Sequence, residues 1–403
     1  MNNSSAPTRA EMLVPMSSPD LSDAEREAVA AVLQTPNLSM GSRIKAFEAS
    51  ISEYTGASHA IGVSSGTAGL HLCTIAAGVG EGDLVITTPF SFVASANVIL
   101  YQRAVPIFVD VDPQTGNIDP VQVAAAAADI SGGGSHAQRW LPRKGVPEDL
   151  RLKAVLPVHV FGQPALLDSL METARNYDLK VIEDACEALG ASHRGRPVGA
   201  IGDSGVFAFY PNKQITTGEG GMIVTNDDRA AEMMRALRNQ GRAPGDSWLQ
   251  HTYMGYNYRL DEMSAALGAA QMSRIDELLE NRARVASWYL ERLDRISGIE
   301  PIKLVDSTSR MSWFVFVVRL DPALDRMQTA QALIERGVPV RPYFLPIHLQ
   351  KYMVDQFDYR AGDFPATEEL GRRGLALPFS GVMEERQVDQ VCLALADCLK
   401  STT

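Results

Sequence analysis

From residue 59 to residue 225, short apolar runs alternate with amphipathic ones. The runs His59–Ser64, Asp83–Thr88, Val105–Val111, Lys153–Phe161, Lys180–Asp184, Gly205–Tyr210 and Met222–Thr225 read as strands. Several are almost wholly apolar, the signature of strands buried on both faces. Helical periodicity predicts helices at Gly69–Ala77, Ser91–Gln102, Asp119–Ala128 and Ala165–Tyr177. Strand–helix alternation of this kind predicts an α/β fold, with a mixed, mostly parallel seven-stranded sheet covered by helices. The last two runs are joined without a clear helix, so that pair could be antiparallel.

From Asp261 to Leu293 the apolar spacing stays helical, which predicts one long helix. Beyond it lie a strand at Trp313–Arg319, a second near Val338–Tyr343, and helices near Gln328–Glu335 and Glu385–Leu399. That set suits a smaller α+β C-terminal domain. The expected division is a flexible tail over 1–17, a large domain over 18–265 and a small domain over 266–403. A surface excursion is expected at Asp129–Leu150, opened by Ser131-Gly132-Gly133-Gly134-Ser135.

Length supports two domains, because 403 residues exceed the usual size of one core. No apolar run reaches the ~18 residues of a membrane span, and residues 1–16 lack the apolar centre of a secretory signal. The expectation is a cytoplasmic protein with no membrane partner. The 37 basic and 48 acidic residues give a net charge of −11, which disfavours nucleic-acid binding. A local basic pocket for one anion remains compatible with that total. The cysteines, Cys73, Cys186, Cys392 and Cys398, form no C-x-x-C pair, and the seven histidines show no ligand spacing. Reduced thiols and no metal are therefore expected.

Ligands of such sheets bind beyond the carboxyl ends of the strands. After the first strand comes Ser64-Ser65-Gly66-Thr67-Ala68 and a helix, small residues at a helix start that could hold a phosphate. Simple helix capping explains the same residues. After the second, Phe90 and Phe92 could face a flat ring or be ordinary core aromatics. After the fifth, Glu183, Asp184 and Glu187 include acids costly to bury unpaired. After the sixth, Lys213 stands between a β run and a Gly-rich turn. A lone lysine is ordinarily solvated. A lysine, an acid and a phosphate cradle in this order, however, are the parts of a pyridoxal-phosphate site. A charge pair at ~4 Å and effective ε of ~20 is worth ~4 kcal/mol before desolvation. That is about 3 pKa units, enough to keep a pyridine nitrogen protonated.

The span Leu21–Leu399 resembles the DegT/DnrJ/StrS-type nucleotide-sugar aminotransferases of the aspartate-aminotransferase fold. The resemblance rests on ordered motifs: Leu38-Ser39-Met40-Gly41, Ser64–Ala68, Pro89–Asn97, Pro157–Gln163, Glu183–Glu187, Lys213–Gly221 and Gly255–Met263. It implies pyridoxal 5′-phosphate as cofactor, with Lys213 as the Schiff-base lysine and Asp184 as partner of the pyridine nitrogen. It implies Gly66, Thr67 and Ala68 at the phosphate and Phe92 against the ring. It implies that Asn257 reaches the phosphate from a neighbouring subunit, hence a homodimer with shared active sites. Ser39 and Gly41 fall where the family contacts the nucleotide sugar. Tyr343, His348 and Arg259 are further candidates for substrate contacts, loop packing being the alternative for the first two.

Two positions depart from the family. A serine usual five residues before the lysine is Ala208, a contact that Asn212 could replace. Glu187 stands where Gln or His approaches the cofactor's phenolic oxygen, and a charged glutamate there would repel a phenolate. The implied reaction moves an amino group from an amino acid, glutamate expected, to a keto sugar on a nucleotide, at C3 or C4. Sugar dehydratases on this scaffold carry His instead of the lysine, so Lys213 argues against that class. A non-catalytic binder would more readily lose Lys213 or Asp184, and both are kept.

Overall fold

A computed structural model describes residues 14–146 and 148–400. The expected tail falls mostly outside that range. Its last residues are packed: Val14 is buried, and the Met16 carbonyl accepts from the Phe379 N–H at 2.9 Å.

Nine strands occupy the first part of the chain: β1 His59–Val63, β2 Asp83–Thr87, β3 Val105–Phe108, β4 Arg151–Leu156, β5 Lys180–Asp184, β6 Ser192–His193, β7 Arg196–Pro197, β8 Ser204–Ala208 and β9 Gly221–Thr225. Seven form one sheet in the order β1-β9-β8-β5-β4-β2-β3. β3, β2, β4, β5 and β8 pair in parallel, while β9 runs antiparallel to both β8 and β1. The mostly parallel sheet and the reversed last pair match the expectation.

Side-chain alternation explains the two covered faces. Leu84, Ile86, Val181, Met222 and Val224 join one apolar cluster, with Phe47 and Ile51 of the helix Ser42–Thr55. Their strand neighbours Val85, Ile182 and Ile223 join the other, with Leu70 and Leu72 of the helix Gly66–Ala76. With both faces buried, apolar runs gain nothing from alternation, which is why they read as continuous.

The expected long helix is two, Glu262–Met272 and Ile275–Leu293. The break falls at Arg274, whose guanidinium is drawn to Asp20, Glu25 and Glu277. Glu262, 2% exposed, accepts the Gly41, Arg43 and Ile44 N–H groups at 2.9, 2.8 and 3.1 Å. A distant carboxylate thus caps the helix Ser42–Thr55, whose own N-cap is a glycine.

Five further strands follow: β10 Ile299–Pro301, β11 Thr308–Arg310, β12 Phe316–Leu320, β13 Arg341–Pro342 and β14 Gly374–Leu377. β10, β12, β14 and β13 make an antiparallel sheet in that order. Phe316, Val318, Leu375 and Leu377 pack there with Tyr289 and Leu395 from the helices Ile275–Leu293 and Glu385–Lys400. β11 pairs with β6 of the hairpin that follows β5. The expected strand near 338–343 shrinks to two residues, because Pro342 already stands at an edge of the sheet. The excursion at 129–150 is not a free loop. The helix Pro120–Gly132 extends into it, and Trp140 and Leu141 pack on the main core. Among the described residues, no helix is long and apolar enough to cross a membrane.

Candidate active site

A cavity of about 610 Å³ opens beyond the carboxyl ends of β1, β5 and β8, and Gly66, Asp184, Ala208 and Lys213 line it. They come from the ends of three strands, Gly66 after β1, Asp184 at the end of β5, and Ala208 and Lys213 at and after the end of β8, and the common direction of these strands brings them to one edge.

Asp184 ends β5 and is 5% exposed. Its carboxylate accepts from Ser95 Oγ at 2.7 Å and from the Cys186 N–H at 3.1 Å. Ser95 is the second residue of the helix Ala94–Tyr101, after β2. It had no assigned role in the sequence reading, although it sits inside a quoted motif.

The neighbouring acids part company. Glu183 points to the opposite face of β5, fully buried. It accepts from His159 Nε2 at 3.0 Å and from the Gly199, Ile201 and Gly202 N–H groups at 2.6–2.7 Å. Burial alone would raise its pKa, but His159 and these N–H groups outweigh burial and hold it below the usual carboxylate value. Glu183 therefore shapes the β5–β8 connection and takes no part in the cavity. Glu187 does line the cavity and accepts a single N–H, that of Phe161, at 2.8 Å. Burial pushes its carboxyl up to about 7, against the pull of Lys213 and the Phe161 N–H. Tyr343, on the far wall, is pushed up to about 12 by burial and by the charge of Glu187.

Lys213 lies over Phe314, with Nζ 3.7 Å from the ring centroid. Its backbone is fixed from below. Arg282, buried in the helix Ile275–Leu293, donates to the Lys213 carbonyl at 2.5 Å and to the Asn212 carbonyl at 3.1 Å. The same guanidinium reaches the Trp313 and Phe314 carbonyls at 3.2 Å. Burial pushes Arg282 down to about 10. Neither Arg282 nor Phe314 was singled out from sequence; an arginine at an apolar helical position was the available signal.

The helix Gly66–Ala76 begins at the cavity. Ser65 Oγ caps it by accepting the Ala68 N–H at 3.0 Å, so that N–H is already used, contrary to the expected phosphate role of Ala68. The N–H groups of Gly66 and Thr67 fall outside the intrahelical ladder. A Cβ at Gly66 would stand 2.8 Å from both Ala208 Cβ and Cys186 Sγ, so the close approach requires glycine.

The remaining candidates divide. Phe92, 63% exposed, and Asn212 line the cavity, as does Tyr343. Ser39 and Gly41 do not: Ser39 bridges to Asp261 and the Gly41 N–H is held by Glu262. Arg259 donates to Asn239 Oδ1 at 3.1 Å, away from the cavity lining. Asn257 is exposed and bridges Asn239 through its backbone. His348 is a correction. It is fully buried, paired with Glu368 at 3.0 Å and packed on Phe364, so it has no surface to offer a substrate.

These residues fit pyridoxal phosphate. The volume lies within the range of about 300–1,000 Å³ of small-molecule sites. The Asn212 side-chain oxygen is buried without a partner, and an amide flip turns its NH2 to the same point. Two free N–H groups at a helix start provide for a phosphate. Asp184 provides for a protonated ring nitrogen and Lys213 for an aldehyde.

Fold and site together define a pyridoxal-phosphate-dependent aminotransferase. The chain belongs to the DegT/DnrJ/EryC1/StrS aminotransferase family, whose model matches residues 19–396. It is 37% identical over 389 residues to GDP-perosamine synthase of Caulobacter vibrioides, covering 96% of this chain and 98% of that one. It is 33% identical to spore coat polysaccharide biosynthesis protein SpsC of Bacillus subtilis, over 96% and 97% of the two chains. The solved aminotransferase TlmJ from Streptoalloteichus hindustanus superposes with a TM-score of 0.84 at 30% identity, over 96% and 99% of the two chains.

Proposed function

We propose that this aminotransferase acts on a keto sugar carried on a nucleotide, with glutamate as amine donor, in the assembly of a polysaccharide or glycan. The observation that carries this reading is the convergence of Lys213, Asp184 and the Gly66–Thr67 turn on one cavity. Relatives named for GDP-perosamine synthesis and spore coat polysaccharide support the sugar class.

When bound, the cofactor supplies an electron sink next to the substrate's amine nitrogen. Lys213 Nζ would hold the cofactor through its aldehyde carbon, and the same amine, once free, would move the substrate's α-proton as general base and acid. The Phe314 face lies under Nζ and favours the amine there whenever it is protonated. Asp184, oriented by Ser95 and the Cys186 N–H, would pair with the ring nitrogen. The Gly66 and Thr67 N–H groups and the Asn212 amide would hold the phosphate. Ala208 offers only a methyl group where the family serine would donate. Glu187, with its pKa near 7, can carry a proton near neutrality and so donate to an anionic oxygen instead of repelling it.

Among the described residues Lys213 is the one cation in the cavity lining, against Asp184, Glu219 and a Glu187 that is part-protonated near neutrality. A cofactor phosphate and the two carboxylates of glutamate need more positive charge than that. A homodimer with shared sites would supply it. Trp248, Leu249, Tyr253 and Met254 are exposed close to Asn257 in sequence, as a surface for a second copy requires. A cytoplasmic location and a boundary between a large and a small domain near residue 265 accord with the same reading.

Lys213→Ala tests the proposal. The absorbance of lysine-bound cofactor and ketosugar-dependent release of 2-oxoglutarate should both vanish. Full activity in the variant would overturn the assignment.

A further inference from the structure

The excursion after the helix Pro120–Gly132 meets the loop 358–363, more than two hundred residues downstream. Asp129 accepts Arg139 Nε and Trp140 Nε1 at 2.9 and 2.8 Å, which closes the excursion on itself. Arg143 then forms two parallel hydrogen bonds to Asp363, both 2.7 Å, and a third to the Asp358 carbonyl at 3.1 Å. The Lys144 N–H donates to the Phe357 carbonyl at 3.3 Å. A planar fork on a carboxylate with 17% side-chain exposure fixes orientation as well as distance.

The connection continues inward. The Asp363 carboxylate accepts the Arg360 N–H at 2.8 Å and shapes the turn. Glu368 accepts the Gly362 N–H at 2.8 Å, the Phe364 N–H at 3.3 Å and His348 Nε2 at 3.0 Å. His348 belongs to the turn Ile347–Leu349, and the Ile347 N–H donates to the Pro89 carbonyl at 2.8 Å. On either side of that turn stand Tyr343, Phe344, Leu345 and Gln350, all lining the cavity.

We propose that Arg143 and Glu368 are positioning residues, and that the excursion is a clasp holding the cavity wall Tyr343–Gln350 at the distance the amino-acid donor requires. The clasp acts through Asp363 and His348 and touches no substrate. Breaking it lets the wall move while the strand-end loops that hold the cofactor stay in place. This rests on the aminotransferase reading of the cavity.

Hydrogen exchange on the full chain without cofactor, and the L-glutamate half-reaction of the loaded enzyme, test it together. Arg143→Ala should speed exchange of the 343–350 amides about tenfold, as a local opening does. It should raise half-saturating glutamate about fivefold and leave the limiting rate within about twofold, since a shifted wall weakens binding before chemistry. Glu368→Gln should loosen 343–350 equally while 139–146 keeps its protection. Arg143→Lys, which keeps a cation against Asp363, should recover both readouts in part. Loosening of 139–146 with unchanged 343–350 exchange and glutamate response would overturn the clasp. A wild type without any glutamate half-reaction would instead remove the proposed donor, and the exchange measurements would still decide the clasp.

Discussion

The two walls of the cavity are built differently. On one side, Gly66, Asp184 and Lys213 sit on short loops at the ends of β1, β5 and β8, each within a few residues of a buried strand. On the other, Tyr343–Gln350 follows a two-residue strand and is tied down by the Pro89 carbonyl, the Glu368 side chain and, indirectly, Arg143. The first wall inherits its rigidity from the sheet. The second borrows it from distant contacts, so its geometry is more open to change. Chemistry common to all members of a family needs the first kind of wall, and substrate choice can vary on the second.

The largest effect should come from the strand-end wall. Asp184→Asn removes a charge pair of ~4 kcal/mol, so turnover should fall about a thousandfold while cofactor still binds. A drop below tenfold, measured as single-turnover rate, would mean that Asp184 does not face the ring nitrogen. Next is the support under Lys213. Arg282→Met leaves four carbonyls without their donor and should cost about 3 kcal/mol in unfolding free energy, with weakened cofactor binding.

Glu187→Gln probes the same wall through pH. The folded chain keeps the Glu187 proton up to about 7, whereas the ordinary value is 4.5. Stability from this group is therefore whole below 4.5 and is lost as pH rises through 7. Denaturant unfolding of Glu187→Gln should match wild type at pH 4.5 and exceed it at pH 8, by at most about 3 kcal/mol. Equal stability at both pH values would show that Glu187 is not desolvated. The smallest effect belongs to the borrowed wall. His348→Gln should lose about 1–2 kcal/mol of stability, from a buried hydrogen bond, with cofactor affinity unchanged. A change in cofactor affinity would erase the distinction between the walls.

Legibility follows the same divide. Lys213, Asp184 and the Gly66–Thr67 turn were readable because each lies immediately after an apolar run, and local order alone places strand ends together. Ser95 and Phe314 were not, since a serine in a helix and an aromatic beside a strand are common everywhere. His348 was misread as a possible substrate contact because a histidine in a loop looks the same whether it faces solvent or Glu368. Ser39 and Gly41 were drawn from a motif whose backbone Glu262 captures from 221 residues away.

Hydrophobic periodicity in the sequence was enough for the sheet and its mostly parallel direction, and the residues just after each apolar run for the phosphate–acid–lysine order, because burial on two faces and strand-end placement are local consequences of residue type; the reversal of β9 was left open. Only the tertiary structure decided which acid faces the cavity, that Ala68 is occupied by its cap, that Arg282 carries the lysine loop, and that the excursion is bonded to the far wall. Those choices depend on side chains meeting across hundreds of residues, and no spacing along the chain encodes which partners meet.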